Sequence, residues 1–100
     1  MTAAPQLTAL ADATRRAVFE TVVKGPCSVA ELASRLPVSR PAVSQHLKVL
    51  QRAGLVRFDR VGTRSIYHVE QAGLAALREY LDDLWSDALG SLAQAVAAAA

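Results

Sequence analysis

Cysteine is almost missing from this chain: Cys27 is the only one in 100 residues. An internal disulfide is therefore impossible, and a Cys-rich zinc site is excluded. Aromatic residues make up only 5% of the chain. The apolar content of 52% rests instead on Ala, Leu and Val, a composition that favours helices. No run of 18 or more apolar residues occurs, which argues against a membrane span. The N-terminus lacks a basic region followed by an apolar core, so no signal peptide is expected and the chain is expected to be cytoplasmic. Convergent nucleophile–base pairs, phosphate-cradling glycine loops and metal-ligand spacings are also missing, so no enzymatic activity is expected.

What is present is an uneven distribution of charge. The formal net charge is only +2. Between residues 39 and 64, however, Arg40, Lys48, Arg52, Arg57, Arg60 and Arg64 face Asp59 alone, a local net of +5. From Ser65 onward, Arg78 faces Glu70, Glu79, Asp82, Asp83 and Asp87, a net of −4. A basic middle predicts an anionic partner there, and an acidic end predicts a different role for the last segment.

The basic middle opens with a helical pattern. From Ser39 to Gly54, Ser39 is a helix cap, Pro41 fits the first turn, and Gly54 supplies a left-handed stop. Val43, Leu47 and Leu50 recur at i, i+4 and i+7, giving one apolar face. The opposite face carries Arg40, Ser44, Gln45, Lys48 and Gln51, all able to hydrogen-bond and none acidic. Such a helix suits the major groove of DNA. Before it, Ser28-Val-Ala-Glu31 reads as a capping box opening a helix through Leu36, with Val29, Leu32 and Leu36 inward. Pro37-Val38 is the turn between the two, which makes a helix-turn-helix.

Upstream, Met1 to Gln6 reads as a loose start, and Leu7, Leu10 and Ala11 give one or two amphipathic turns. Asp12 caps a helix from about Ala13 to Lys24, with Ala17, Val18, Thr21 and Val22 inward and Phe19 and Val23 broadening that face. Downstream, residues 55–60 and 64–69 are short β-type segments around Val61-Gly62-Thr63, a hairpin with Arg57, Arg60 and Arg64 near its tip. From Gln71 to about Val96, Leu74, Leu77, Leu81, Leu84 and Ala88 step by 3, 4, 3 and 4, a coiled-coil-like seam. Tyr80, Trp85, Leu89 and Leu92 widen it beyond what a core of this size needs. The expected fold is mainly α with a small β-hairpin: four helices, two strands and a fifth helix, in one domain spanning 1–100. Helices at about 7–11 and 71–96 are expected to dimerise it through Leu7, Leu10, Leu74, Leu77, Tyr80, Leu81, Leu84, Trp85, Ala88 and Leu92.

Leu10-Ala-Asp-Ala-Thr-Arg-Arg-Ala-Val18, Ser28-Val-Ala-Glu-Leu-Ala33, Val38-Ser-Arg-Pro-Ala-Val-Ser-Gln-His-Leu-Lys-Val-Leu50 and Ala53-Gly-Leu-Val56 resemble the ArsR/SmtB family of winged-helix repressors. The resemblance runs from about Leu7 to Trp85. It implies a dimer bound to a palindromic operator and released by an inducer. It places DNA contacts early in the recognition helix, at Ser39, Arg40, Pro41, Ser44 and Gln45. Metal sensors of the family often carry a Cys-x-Cys pair on the third helix, where this chain has Ala30 to Ala33 and no thiol. Others use Asp and His on the last helix, which here holds Asp82, Asp83 and Asp87 but no His.

Ser44 and Gln45 are the expected base readers, since Gln can pair bidentately with adenine. Lys48, Arg57, Arg60 and Arg64 are expected on phosphates. His46 lies beside the apolar face and either bridges to phosphate or is structural. Cys27 reads as a small buried thiol and His68 as a residue with a local hydrogen bond. With Asp82, Asp83 and Asp87 they are the weak candidates for a divalent metal, and no cofactor is otherwise expected. Two further readings stay open: a constitutive or accessory-protein-dependent autorepressor, and a helical interaction module that does not bind DNA.

Overall fold

In the computed structural model, which describes residues 3–99, the chain forms five helices and a small antiparallel sheet. Helices α1 (Ala4–Ala11) and α2 (Ala13–Lys24) form a corner, followed by the two-residue strand β1 (Cys27–Ser28). Then come α3 (Val29–Arg35), α4 (Arg40–Arg52), the hairpin β2 (Val56–Val61) and β3 (Arg64–Val69), and α5 (Gln71–Ala99). The expected order holds, with one addition. Strand β1 pairs with β3 (Cys27 opposite Tyr67, Ser28 opposite Ile66), giving a three-stranded sheet in the order β1-β3-β2. Two residues are too few to show a strand's alternation, so β1 leaves no readable pattern.

Capping signals are where the sequence placed them. Asp12 accepts from the Arg15 amide at 2.8 Å. Ser28 and Glu31 form a complete capping box: the Glu31 amide donates to Ser28 Oγ at 3.1 Å and the Ser28 amide donates to Glu31 Oε1 at 2.9 Å. Ser39 Oγ accepts from the Ala42 amide, and Pro41 sits in the first turn of α4. Helix α4 ends in a Schellman motif, in which Gly54 at φ 72° lets its own amide reach Gln51 O and the Leu55 amide reach Leu50 O.

The core is built by Val18, Phe19 and Val22 of α2, Leu32 of α3, Val43, Leu47 and Leu50 of α4, and Cys27, Leu55 and Val56. The apolar face read from α4 is thus its buried face. Two expectations need correction. The segment before Leu7 is not a loose start: α1 begins at Ala4 with Pro5 in its first turn, and Gln6 is buried. Its Nε2 donates to Ala53 O at 2.6 Å, which docks α1 on the end of α4 and stabilises a helix too short to stand alone. Met1 and Thr2 of that segment, and Ala100, lie outside the described residues. Val23 does not broaden the inner face of α2 and is exposed.

Helix α5 gives the molecule its shape. Its 29 residues run about 43 Å at 1.5 Å per residue. The molecule measures 65 × 24 × 20 Å, and its radius of gyration of 17.6 Å exceeds the roughly 13 Å expected of a compact 100-residue chain. Only the first turns of α5 pack on the protomer, and the rest projects as a rod.

Candidate nucleic-acid interface

The Leu36–Ser39 turn hands α3 to α4 and leaves the N-terminus of α4 on the surface. Ser39, Arg40 and Pro41 are exposed there. Gln45 and Lys48 follow on the outer face, with Ser44 half-buried beside them. Positions 41, 44, 45 and 48 fall at i, i+3, i+4 and i+7, so one surface stripe collects them. Among the described residues, the side chains of Arg40, Gln45 and Lys48 make no hydrogen bond or ion pair with the protein. Arg40 carries a positive charge at a helix N-terminus, where it opposes the helix dipole, so local stability does not explain it. His46 is half-buried and lies close enough to Asp12 to help hold that carboxyl below its ordinary range. The main cause of that lowering is the Arg15 amide bonded to the carboxylate.

The hairpin is basic on both faces, and the register divides its arginines. Pairs 57–68, 59–66 and 61–64 share one face, while 56–69, 58–67 and 60–65 share the other. Arg60 lies near the tip on the face that carries the Phe58–Tyr67 ring contact (centroids 5.3 Å apart). Arg57 lies on the opposite face, 3.7 Å from the Glu70 carboxylate at the base. Arg64 shares that face, and its Nη2 donates to Ser28 Oγ at 2.9 Å and Glu31 Oε1 at 3.0 Å. Of the three phosphate contacts expected on the hairpin, Arg60 alone has a side chain with no protein partner among the described residues.

A helix-turn-helix domain model matches residues 10–57, the stretch from the end of α1 to the first residues of β2. The chain is 57% identical over 88 residues to the HTH-type transcriptional regulator Rv2034 of Mycobacterium tuberculosis, covering 88% of this chain and 82% of that one. An ArsR-like transcriptional regulator from Rhodococcus sp. RHA1 superposes with a TM-score of 0.73 at 35% identity, over 92% of this chain and 90% of that one. The chain belongs to the ArsR/SmtB family. The transcriptional activator HlyU of Vibrio cholerae is 34% identical over 82 residues, 82% of this chain and 76% of that one. Its reduced form superposes with a TM-score of 0.68. As an ArsR/SmtB member, the protein is a DNA-binding transcriptional regulator without enzymatic activity.

A second surface left uncovered in the protomer is that of α5. Leu10 and Leu77 pack against the protomer's own core, and Leu74 and Tyr80 lie at its edge. Beyond them Leu81, Leu84, Trp85, Ala88, Leu89, Leu92 and Val96 are exposed, Trp85 by 69%. Leu7 on α1 is also exposed, and α1 packs alongside α5.

The metal candidates are not brought together within a protomer. Among the described residues, no three His, Cys, Asp or Glu side chains are grouped to hold an ion. Cys27 is fully buried, its Sγ donating to Gly25 O at 3.3 Å and lying 3.4 Å from Arg35 Nη1. His68 Nε2 lies 2.9 Å from Asp59 Oδ2, the local hydrogen bond expected of it. Asp82 lies 3.8 Å from Arg78 one turn earlier. No helix among the described residues is long and apolar enough to cross a membrane.

Two further features were missed from the sequence. Arg15 Nε and Nη2 donate to Ala9 O and Thr8 O, and Arg16 Nη1 donates to Leu10 O, so two adjacent arginines cap the C-terminus of α1. The other is Arg64's attachment to α3. Neither has a short-range pattern, since each depends on how two elements meet.

Proposed function

We propose that the protein is a homodimeric, cytoplasmic repressor that binds a palindromic operator. Two α4 helices enter successive major grooves about 34 Å apart. Ser44 and Gln45 read base edges, and Ser39, Arg40, Pro41, His46 and Lys48 face the bases and backbone at the entry. Arg57 and Arg60 hold phosphates from the wing, with Arg64 beside them. The observation that carries this reading is the outer stripe of α4: donor-rich, cationic, free of acid and unpartnered among the described residues. The dimer is supported by the exposed apolar run of α5 from Leu81 to Val96, which lies beside exposed Leu7 on α1 and needs a cover. The single domain is then a winged helix carrying dimerisation helices at both ends.

Fluorescence anisotropy on DNA from the protein's own upstream region, across a salt series and beside random duplex, tests the reading. A preferred site bound by two protomers, with affinity falling steeply with salt, is expected. Equal binding to random duplex, or none, would favour an interaction module. Titrating the complex with divalent metals, oxidants and small acids then searches for an inducer. Retention of the complex under all of them favours a constitutive or accessory-protein-dependent repressor.

A further inference from the structure

The sheet supports the wing only at its base. Strand β1 reaches Ser28, opposite Ile66, and among the described residues no strand flanks the other edge of β3, away from β2, any nearer the tip. The segment from Arg60 to Ser65 therefore extends past the last residue anchored to the rest of the domain. One side chain bridges that gap. Arg64 is two residues from Ile66, on the same face, and its Nη2 reaches both oxygens of the α3 capping box, Ser28 Oγ and Glu31 Oε1. Thr63, Arg64 and Ser65 thus meet Ser28, Val29 and Ala30 across a shallow crease. The acid on its own face of the hairpin, Asp59, is taken by His68. Glu31 is held ionised by the Ser28 amide and hydroxyl, with Arg64 and Arg35 adding to the effect.

We propose that Arg64 is a positioning residue that straps the wing tip to the first turn of α3, presetting the wing's angle to α4 before DNA arrives. This rests on the reading that the wing touches DNA. Arg60, on the opposite face and unpartnered, is the group that the strap aims. Losing the strap leaves the fold intact but spreads the wing over several orientations. Operator affinity then falls by the fraction of molecules still competent to bind.

Glu31→Gln is the decisive variant, because it keeps the Oε1 acceptor that caps Ser28 while removing the charge that holds Arg64. Its affinity for a duplex selected from a random library by the wild-type protein is measured beside Arg64→Met, the double variant and Arg60→Met. Under the strap, Glu31→Gln and Arg64→Met each weaken binding by about two- to fivefold, the range of an exposed ion pair. The double variant is no weaker than the weaker single, since both remove one link. Tighter or unchanged binding by Glu31→Gln would overturn the strap, because it would mean that Glu31 merely holds Arg64 away from a phosphate. Multiplying effects in the double variant would overturn it too. Arg60→Met separates the two levels: under the wing reading it lowers the slope of log affinity against log salt by about 0.9 per protomer. An unaltered slope and affinity would remove the wing from the DNA and overturn both readings. A lowered slope with Glu31→Gln neutral overturns the strap alone.

Discussion

The amide of Gly73 donates to the carbonyl of Gly54 at 2.9 Å, joining the third residue of α5 to the stop signal of α4. A Cβ on Gly73 would lie 2.4 Å from that same oxygen and 3.0 Å from Leu55 Cδ2. The recognition helix and the projecting helix therefore meet backbone to backbone, with no side chain between them. Gly54 in turn needs its left-handed φ of 72° to present the carbonyl.

Gly73→Ala tests that junction by the sign of its effect. In a free helix the change stabilises by up to about 1 kcal/mol. Here the obstacle is backbone, which cannot rotate away, so a loss of about 1–3 kcal/mol is expected, as for other overpacked sites. Urea denaturation measures it. A gain in stability would show that α5 stands off from Gly54.

Gln45→Ala addresses base reading. Gln45 is exposed and its side chain bonds to nothing among the described residues, so the variant should unfold as wild type does. Loss of a bidentate adenine contact costs about 1–3 kcal/mol of operator affinity and relaxes preference at one position of each half-site. Binding-site selection with the variant checks it, and an unchanged consensus would move base reading to other residues.

Trp85→Asp addresses the dimer. Trp85 is 69% exposed in the protomer, so the variant should keep its fold. Under the proposed dimer, a charge in the middle of the apolar seam leaves an unpaired buried carboxylate, so sedimentation should find the variant monomeric where the wild type is expected to be dimeric. Operator affinity should drop with it, because one protomer fills only one half-site. An unchanged sedimentation profile would place the protomer contact elsewhere.

The pH dependence of stability follows from two caps. Asp12 is held below the ordinary carboxylate range chiefly by the Arg15 amide, and Glu31 chiefly by the Ser28 amide and then its hydroxyl. The unfolded chain therefore takes up these protons first as pH falls. Stability is full above the unfolded carboxylate range and is lost as pH drops through the lowered values. Denaturant midpoints should stay level from neutral to mildly acidic pH and then fall. Asp12→Asn with Glu31→Gln, which keep acceptor oxygens but cannot ionise, should flatten that acid limb. A limb as steep as wild type would assign it to other groups.

Sequence and tertiary structure divided the work along chain separation. The caps at Asp12, Ser28–Glu31 and Ser39, the Gly54 stop and the buried face Val43–Leu47–Leu50 are relations between residues at most seven apart. Backbone geometry imposes such relations wherever the chain is helical, so the helix-turn-helix, its donor-rich stripe and the apolar run of α5 were legible before any fold was known. Apart from the Arg15 and Arg16 bonds across the α1–α2 corner, what remained hidden pairs residues far apart in the chain: Gln6 with Ala53, Gly54 with Gly73, Ser28 with Ile66 and Arg64. An arginine near a hairpin tip reads the same from sequence whether it faces phosphate or a neighbouring helix cap. Only the packing of β3 against β1 decided that Arg64 would turn inward while Arg60 stayed free. That choice depends on where a second element stands, and no local periodicity records it.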